Sequence, residues 1–167
     1  MEAAETGDAQ FELAKIYHYS FKDLNEALTN YKMLAQAFPE NKNFNSALMN
    51  AGKISEELGD YQDALNSYMM IVENNNVTDE TMAALKNILR IQLEILKDYS
   101  QAAQVYLLMA QMFPTDQNAP KHLLQAAILY KEKINNPQKS KEILQILKTK
   151  YKDSSEAGEA DKLMNQN

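Results

Sequence analysis

Ala51-Gly52-Lys53-Ile54-Ser55-Glu56-Glu57-Leu58-Gly59-Asp60-Tyr61-Gln62-Asp63-Ala64-Leu65-Asn66-Ser67-Tyr68 holds the pattern that decides the fold. Gly59 suits the left-handed position that ends a helix, and Asp60 after it is a good N-cap for the next one. Beyond the turn, Tyr61, Ala64, Leu65, Tyr68, Ile71 and Val72 fall on one face of a helix of period 3.6. The centre of this stretch is a small residue, an apolar residue, two others and an aromatic. It recurs as Ala27-Leu28-x-x-Tyr31 and Ala102-Ala103-x-x-Tyr106, with a degenerate copy Ser140-Lys141-x-x-Leu144. The small residues are spaced by 37, 38 and 38, the even period of a repeat array in which each unit buries its apolar face against the next.

The flanks repeat as well. Lys22-Asp23, Gly59-Asp60, Lys97-Asp98 and Asn136-Pro137 mark a turn before each small residue. Asp23 with Glu26, and Asp98 with Gln101, read as N-caps with a reciprocal partner three residues on, and Pro137 suits a first turn, where its missing N–H is harmless. Seven residues after the Tyr or Leu position come Phe38, Phe113 and Tyr151, with Pro39 and Pro114 following two of them. Each unit therefore reads helix, tight turn, helix, stop. The first helices are expected near 6–20, 43–58, 79–96 and 118–134, the third capped by Thr78. The expected fold is all-α: a right-handed α-α superhelix, or solenoid, of about four helix pairs in a single domain over 1–167. Its units run approximately 6–39, 43–76, 79–114 and 118–152, and a short helix near 155–164 caps the open end. The recurring small residue lets the two helices of a pair approach, and the large residue one turn later fills the wider gap.

The chain of 167 residues has four glycines, four prolines, 45% hydrophobic and 24% charged residues, ordinary for a globular protein long enough to bury a core. No stretch approaches the roughly 20 apolar residues of a membrane span, and the acidic, polar start from Met1 to Gln10 has no signal-peptide pattern. The absence of cysteine excludes disulfides, thiolate metal sites and thiol nucleophiles. A net charge of −6 argues against nucleic acid as a partner. The charge is uneven: residues 1–83 carry 14 acids and 5 bases, residues 84–167 carry 9 acids and 12 bases. Either the helix faces are simply solvated, or the halves steer a partner or pack head to tail in a homo-oligomer.

Nothing in the sequence assembles chemistry. His18 and His122 stand alone, without the spacing of a metal pair. Glu56-Glu57 and Asp79-Glu80 are neighbours that point to different sides of a helix. There is no glycine-rich phosphate loop and no nucleophile elbow, so neither catalysis nor a metal or other cofactor is expected. The nine methionines, including Met69-Met70, read as core filling at helical spacing.

The stretch Ala51-Gly52, Gly59-Asp60-Tyr61, Ala64 and Tyr68 is similar to the tetratricopeptide signature, and four copies in register extend the resemblance over nearly the whole chain. Repeat 1 carries it through Leu13-Ala14, Tyr17, Ala27, Tyr31 and Pro39, and repeat 4 through Ala127, Tyr130 and Ser140, each with one extra residue in the turn. Repeat 3 matches from Tyr99, Ala102 and Tyr106 through Pro114. The period exceeds the usual 34 residues. The joints Phe113-Pro114-Thr115-Asp116 to Pro120, and Tyr151-Lys152-Asp153-Ser154-Ser155-Glu156-Ala157 with Ala160, resemble those of bacterial cell-envelope members of the family. Those members include the outer-membrane assembly lipoprotein and the Tol–Pal coordinator of cell division. The resemblance implies a protein-interaction adaptor in a periplasmic or envelope-associated assembly, in preference to a cytoplasmic array. The carboxylate clamp of the chaperone-adaptor branch is not reproduced: Phe11, Lys15, Met49 and Lys53 stand at its positions.

Stacked helix pairs curve, and their first helices line the inner face. That face is expected to present Met49, Lys53, Glu56, Asn87, Ile91, Glu94, Ile128 and Lys131, a mixed surface for an extended peptide or a partner helix. Ile91 and Ile128 could equally belong to the core. The expected function is a non-catalytic scaffold that holds a protein or peptide partner on this concave face. The alternatives are a self-assembling subunit joined through acidic and basic ends, or a cytoplasmic adaptor domain of a larger protein.

Overall fold

The computed structural model describes residues 2–74 and 77–165. Among them are nine α-helices and no β-strand: α1 (Glu2–Lys15), α2 (Leu24–Ala37), α3 (Phe44–Glu57), α4 (Tyr61–Glu73), α5 (Asp79–Arg90), α6 (Tyr99–Met112), α7 (Ala119–Glu132), α8 (Pro137–Lys150) and α9 (Ser155–Asn165). Two of them run on into short π-helical segments, Ile16–Phe21 after α1 and Ile91–Ile95 after α5. The chain divides into two compact units, Met1–Asn87 and Ile88–Asn167. The all-α array of adjacent helix pairs is the fold class the repeat implied. The second repeat's expected end at Asn76 lies outside the described residues.

One turn is built four times. Lys22, Gly59, Lys97 and Asn135 hold positive φ angles of 57°, 80°, 54° and 55°, and each immediately precedes an N-cap. Asp23, Asp60, Asp98 and Asn136 then accept, through their side chains, the N–H of Glu26, Asp63, Gln101 and Lys139. Thr78 caps α5 in the same way, its Oγ1 accepting from the N–H of Thr81 at 3.3 Å. Only Gly59 takes the left-handed conformation without a Cβ penalty. The reciprocal half of the capping box at Asp23 is replaced: its own N–H donates to the Tyr17 carbonyl at 2.9 Å, which closes the left-handed turn.

The π segment after α5 accounts for the step in spacing from 37 residues (Ala27 to Ala64) to 38 (Ala64 to Ala102). Thirteen residues separate Ala14 from Ala27, Leu89 from Ala102 and Ala127 from Ser140, whereas twelve separate Gly52 from Ala64. A π turn takes up one extra residue. After α5 the Leu96 N–H reaches back five residues to the Ile91 carbonyl at 2.9 Å. Repeat 4 absorbs its extra residue in a wide turn, with the Asn136 N–H on the Tyr130 carbonyl at 2.7 Å. The extra residue is thus present in repeat 3 as well as in repeats 1 and 4, hidden in sequence because α5 carries no Gly or Tyr landmark.

The joints between pairs also repeat. Phe38, Phe113 and Tyr151 donate their N–H groups to the carbonyls four residues before. Asn41, Asp116 and Ser154 then donate to those three residues, and Phe44, Ala119 and Ala157 close the next turn. α9 therefore begins as α3 and α7 begin, with Ala157 and Ala160 buried, and it packs on α7 and α8.

Each unit has its own core. In the first unit α1, α2, α3 and α4 pack in sequence, around Ala14, Ala27, Tyr31, Leu34, Ala47, Ala51 and Ile54. In the second α6, α7, α8 and α9 do the same, around Leu123, Leu124, Ala127, Ile143, Leu144 and Leu147. Burying an aliphatic side chain contributes about 1.5–3 kcal/mol, so these clusters, rather than surface ion pairs, hold each unit.

Candidate functional site

Met49, Lys53 and Glu56 lie four and three residues apart on α3, which places them on one face of the helix. Lys53 is exposed, while Met49 and Glu56 are half-buried. Glu56 is anchored from below: the Tyr68 hydroxyl, coming from α4, donates to its Oε1 at 2.7 Å. Asn87 on α5 joins the group, its Nδ2 directed at the Met49 sulfur at 3.5 Å. In the first unit the structure thus brings four of the expected residues into one neighbourhood.

The second unit divides the remaining four. Ile91 is fully buried and offers no surface to a partner, a correction: at α-helical spacing it continues the buried stripe of Ala84, Leu85 and Ile88. Glu94 is exposed. Ile128 is half-buried against the unit's core, and Lys131, one turn along α7, donates from Nζ to the Leu163 carbonyl of α9 at 3.0 Å.

The packing behind α3 explains why its face is fixed. Tyr68 is fully buried and its ring lies where a Cβ on Gly52 would stand, 2.4 Å from Cε1. Only a glycine admits this approach. On the other side of the pair, the Lys32 amine and the Ser55 hydroxyl both converge on Asp63, the latter on Oδ2 at 2.5 Å. Burial pushes the Asp63 carboxyl up, but the hydrogen bonds from Lys32 and Ser55 and the charge of Lys32 outweigh it and hold the group below its ordinary value. Lys32 and Asp63 border a cavity of about 190 Å³ between α2 and α4, floored by Ala35, Leu48 and Ser67. At the start of the chain, burial lifts the Tyr31 hydroxyl to about 12, helped by the charges of Tyr19 and Glu12. Burial lowers His18, against the pull of Glu57.

The sequence did not point to a second cavity, of about 210 Å³, where α7, α8 and α9 meet. Ser140 and Leu144 form its buried floor, Leu163 and Met164 one wall, and Lys131 and Lys141 stand at its rim. The signal for it was the loss of the aromatic in the fourth copy of the repeat.

These are the features of a helix-pair repeat protein that presents side chains from its first helices, with no cluster of three metal-ligating side chains among the described residues. No described helix is long and apolar enough to cross a membrane. The chain belongs to the tetratricopeptide repeat family, whose model matches residues 8–41, 46–75 and 123–154, more than half of its length. Repeats of this family generally mediate protein–protein interaction. The longest unmatched stretch, 76–122, contains α5, its π segment and α6. No curated protein matches the chain.

Proposed function

We propose that the protein is a non-catalytic adaptor that holds a protein or peptide partner on the faces of its first helices. The observation that carries this reading is the α3 face. Lys53 projects to solvent between Met49 and Glu56, and Glu56 is fixed in place by the buried Tyr68. A pre-positioned charge beside an apolar side chain is what fixes the register of an extended peptide or docked helix. Ile128 and Lys131 offer a second stretch on α7, and Glu94 a third point of contact.

The setting we propose is a bacterial envelope assembly. What supports it is the likeness in sequence of the joints at Phe113 and Tyr151 to those of bacterial cell-envelope members of the family. The test is capture from envelope and soluble extracts assayed separately, with cross-linked peptides read by mass spectrometry. A defined partner cross-linked through Lys53 or Lys131, enriched from the envelope, supports both statements. The same partner from the soluble extract keeps the adaptor and discards the envelope. Recovery of the protein alone discards the adaptor in favour of self-assembly through its acidic and basic halves.

A further inference from the structure

The register of the repeats gives the cavity at α7, α8 and α9 a meaning. Leu144 occupies the position held by Tyr31, Tyr68 and Tyr106 in the other copies, and Lys131 occupies the position of Glu56. In the second repeat the tyrosine ring runs along α3 past Gly52 and ends on Glu56. In the fourth, a leucine stops short, and the space beyond it is lined by Ser140, Leu163 and Met164. Its volume of about 210 Å³ exceeds the roughly 150 Å³ of an apolar cavity that takes up benzene. The carboxylate that receives the phenol in repeat 2 is replaced by an amine, and Lys141 adds a second at the rim. Among the described residues no acidic side chain lines the cavity.

We propose that this cavity receives an aromatic side chain from an acidic peptide segment of a partner protein. The ring fills the space that the other repeats fill from within. Carboxylates flanking it on the peptide meet Lys131 and Lys141, in a stretch from Lys121 to Lys152 that holds eight lysines against Glu132 and Glu142. Serine in place of the usual alanine at Ser140 sets a buried hydroxyl in the floor, a polar point that suits tyrosine. The proposal rests on the adaptor reading and names the chemistry of the partner.

The test uses the full chain and a short capped peptide with one tyrosine flanked by glutamates, titrated while the backbone amide signals are followed. Shifts confined to Lys131, Ser140, Leu144 and Leu163 are expected. Replacing the peptide tyrosine by alanine should abolish them. Lys141→Gln, at an exposed position, should weaken binding by about tenfold, the equivalent of 1.4 kcal/mol. Leu144→Tyr should fill the cavity from within and block the peptide while raising the melting temperature. Equal binding by Leu144→Tyr, equal binding of a lysine-flanked peptide, or no binding by the unaltered protein would each overturn the proposal. The adaptor reading is scored separately: a partner still cross-linked through Lys53 in Leu144→Tyr leaves it standing when the pocket fails.

Discussion

The second and fourth repeats share one backbone plan and fill it differently. Both turn through a left-handed residue into a side-chain cap, at Gly59-Asp60 and at Asn135-Asn136. In the second, glycine at 52 lets a buried tyrosine lie against α3 and tie down Glu56. In the fourth, Ala127 and Leu144 meet without a ring, and a cavity remains beside Lys131. The outer faces diverge too: Asp63 gathers Lys32 and Ser55, whereas its counterpart Lys139 pairs with Glu142, in the open at 3.2 Å. The lesson is that the repeat's backbone is specified by turns and caps, while the interior of each pair is free to be closed or left open. The open copy is where the partner peptide we propose would complete the packing.

The largest effect should come from emptying the closed copy. Tyr68→Ala should cost about 3–5 kcal/mol, since it removes a fully buried ring and the hydrogen bond it gives Glu56. Leu144→Ala should fall near the low end of the roughly 2–5 kcal/mol range for such truncations, because its site already adjoins open space. Thermal and denaturant melts of both variants check the order, and a larger loss at Leu144 would break the comparison. Next comes overfilling. Ala64 is fully buried between α3 and α4, and Ala64→Leu should cost about 1–3 kcal/mol. A melt with no loss would show that the small residue is not a packing requirement.

Much of this plan was legible in the sequence, because turns and caps are local. The Asp23, Asp60, Asp98 and Asn136 caps, the glycine at 59 and the even spacing of Ala27, Ala64, Ala102 and Ser140 need only neighbours to be read. The π segments were not legible, since one extra residue inside Ile91–Ile95 changes no side-chain type and shows only in which carbonyl an N–H reaches. Ile91, placed on the inner face by its spacing from Asn87, is buried because it also continues the stripe of Ala84 and Ile88. The candidate face was legible in part. Periodicity put Met49, Lys53 and Glu56 together, but the fixing of Glu56 by Tyr68 depends on a contact across the pair. The cavity at Leu144 is a property of volumes, visible in sequence only as a missing aromatic.

A smaller effect sharpens the contrast from the other side. Leu144→Tyr should stabilise the protein by about 0.5–2 kcal/mol, the usual gain from filling a cavity. The same substitution closes the proposed binding pocket, so stability and peptide affinity should move in opposite directions. A loss of stability would mean that α9 cannot accommodate the ring, and that the fourth repeat is built around the smaller residue.

The smallest difference is electrostatic, and acid should reveal it. Asp63 titrates below its ordinary value of 3.8 in the folded protein. Its stabilisation is fully present above that value and is lost as pH falls through the lower folded one. Asp8 is depressed in the same way by Lys42 and Asn41, so Asp63→Asn should flatten part of the acid limb of a stability–pH curve and leave part in place. Lys139→Gln, which removes an exposed pair, should shift stability by less than about 0.5 kcal/mol at any pH. An acid limb unchanged by Asp63→Asn would assign the whole of it to other carboxylates. The Lys32–Asp63–Ser55 cluster would then be a geometric feature without a share in stability, and the two outer faces would differ in appearance only.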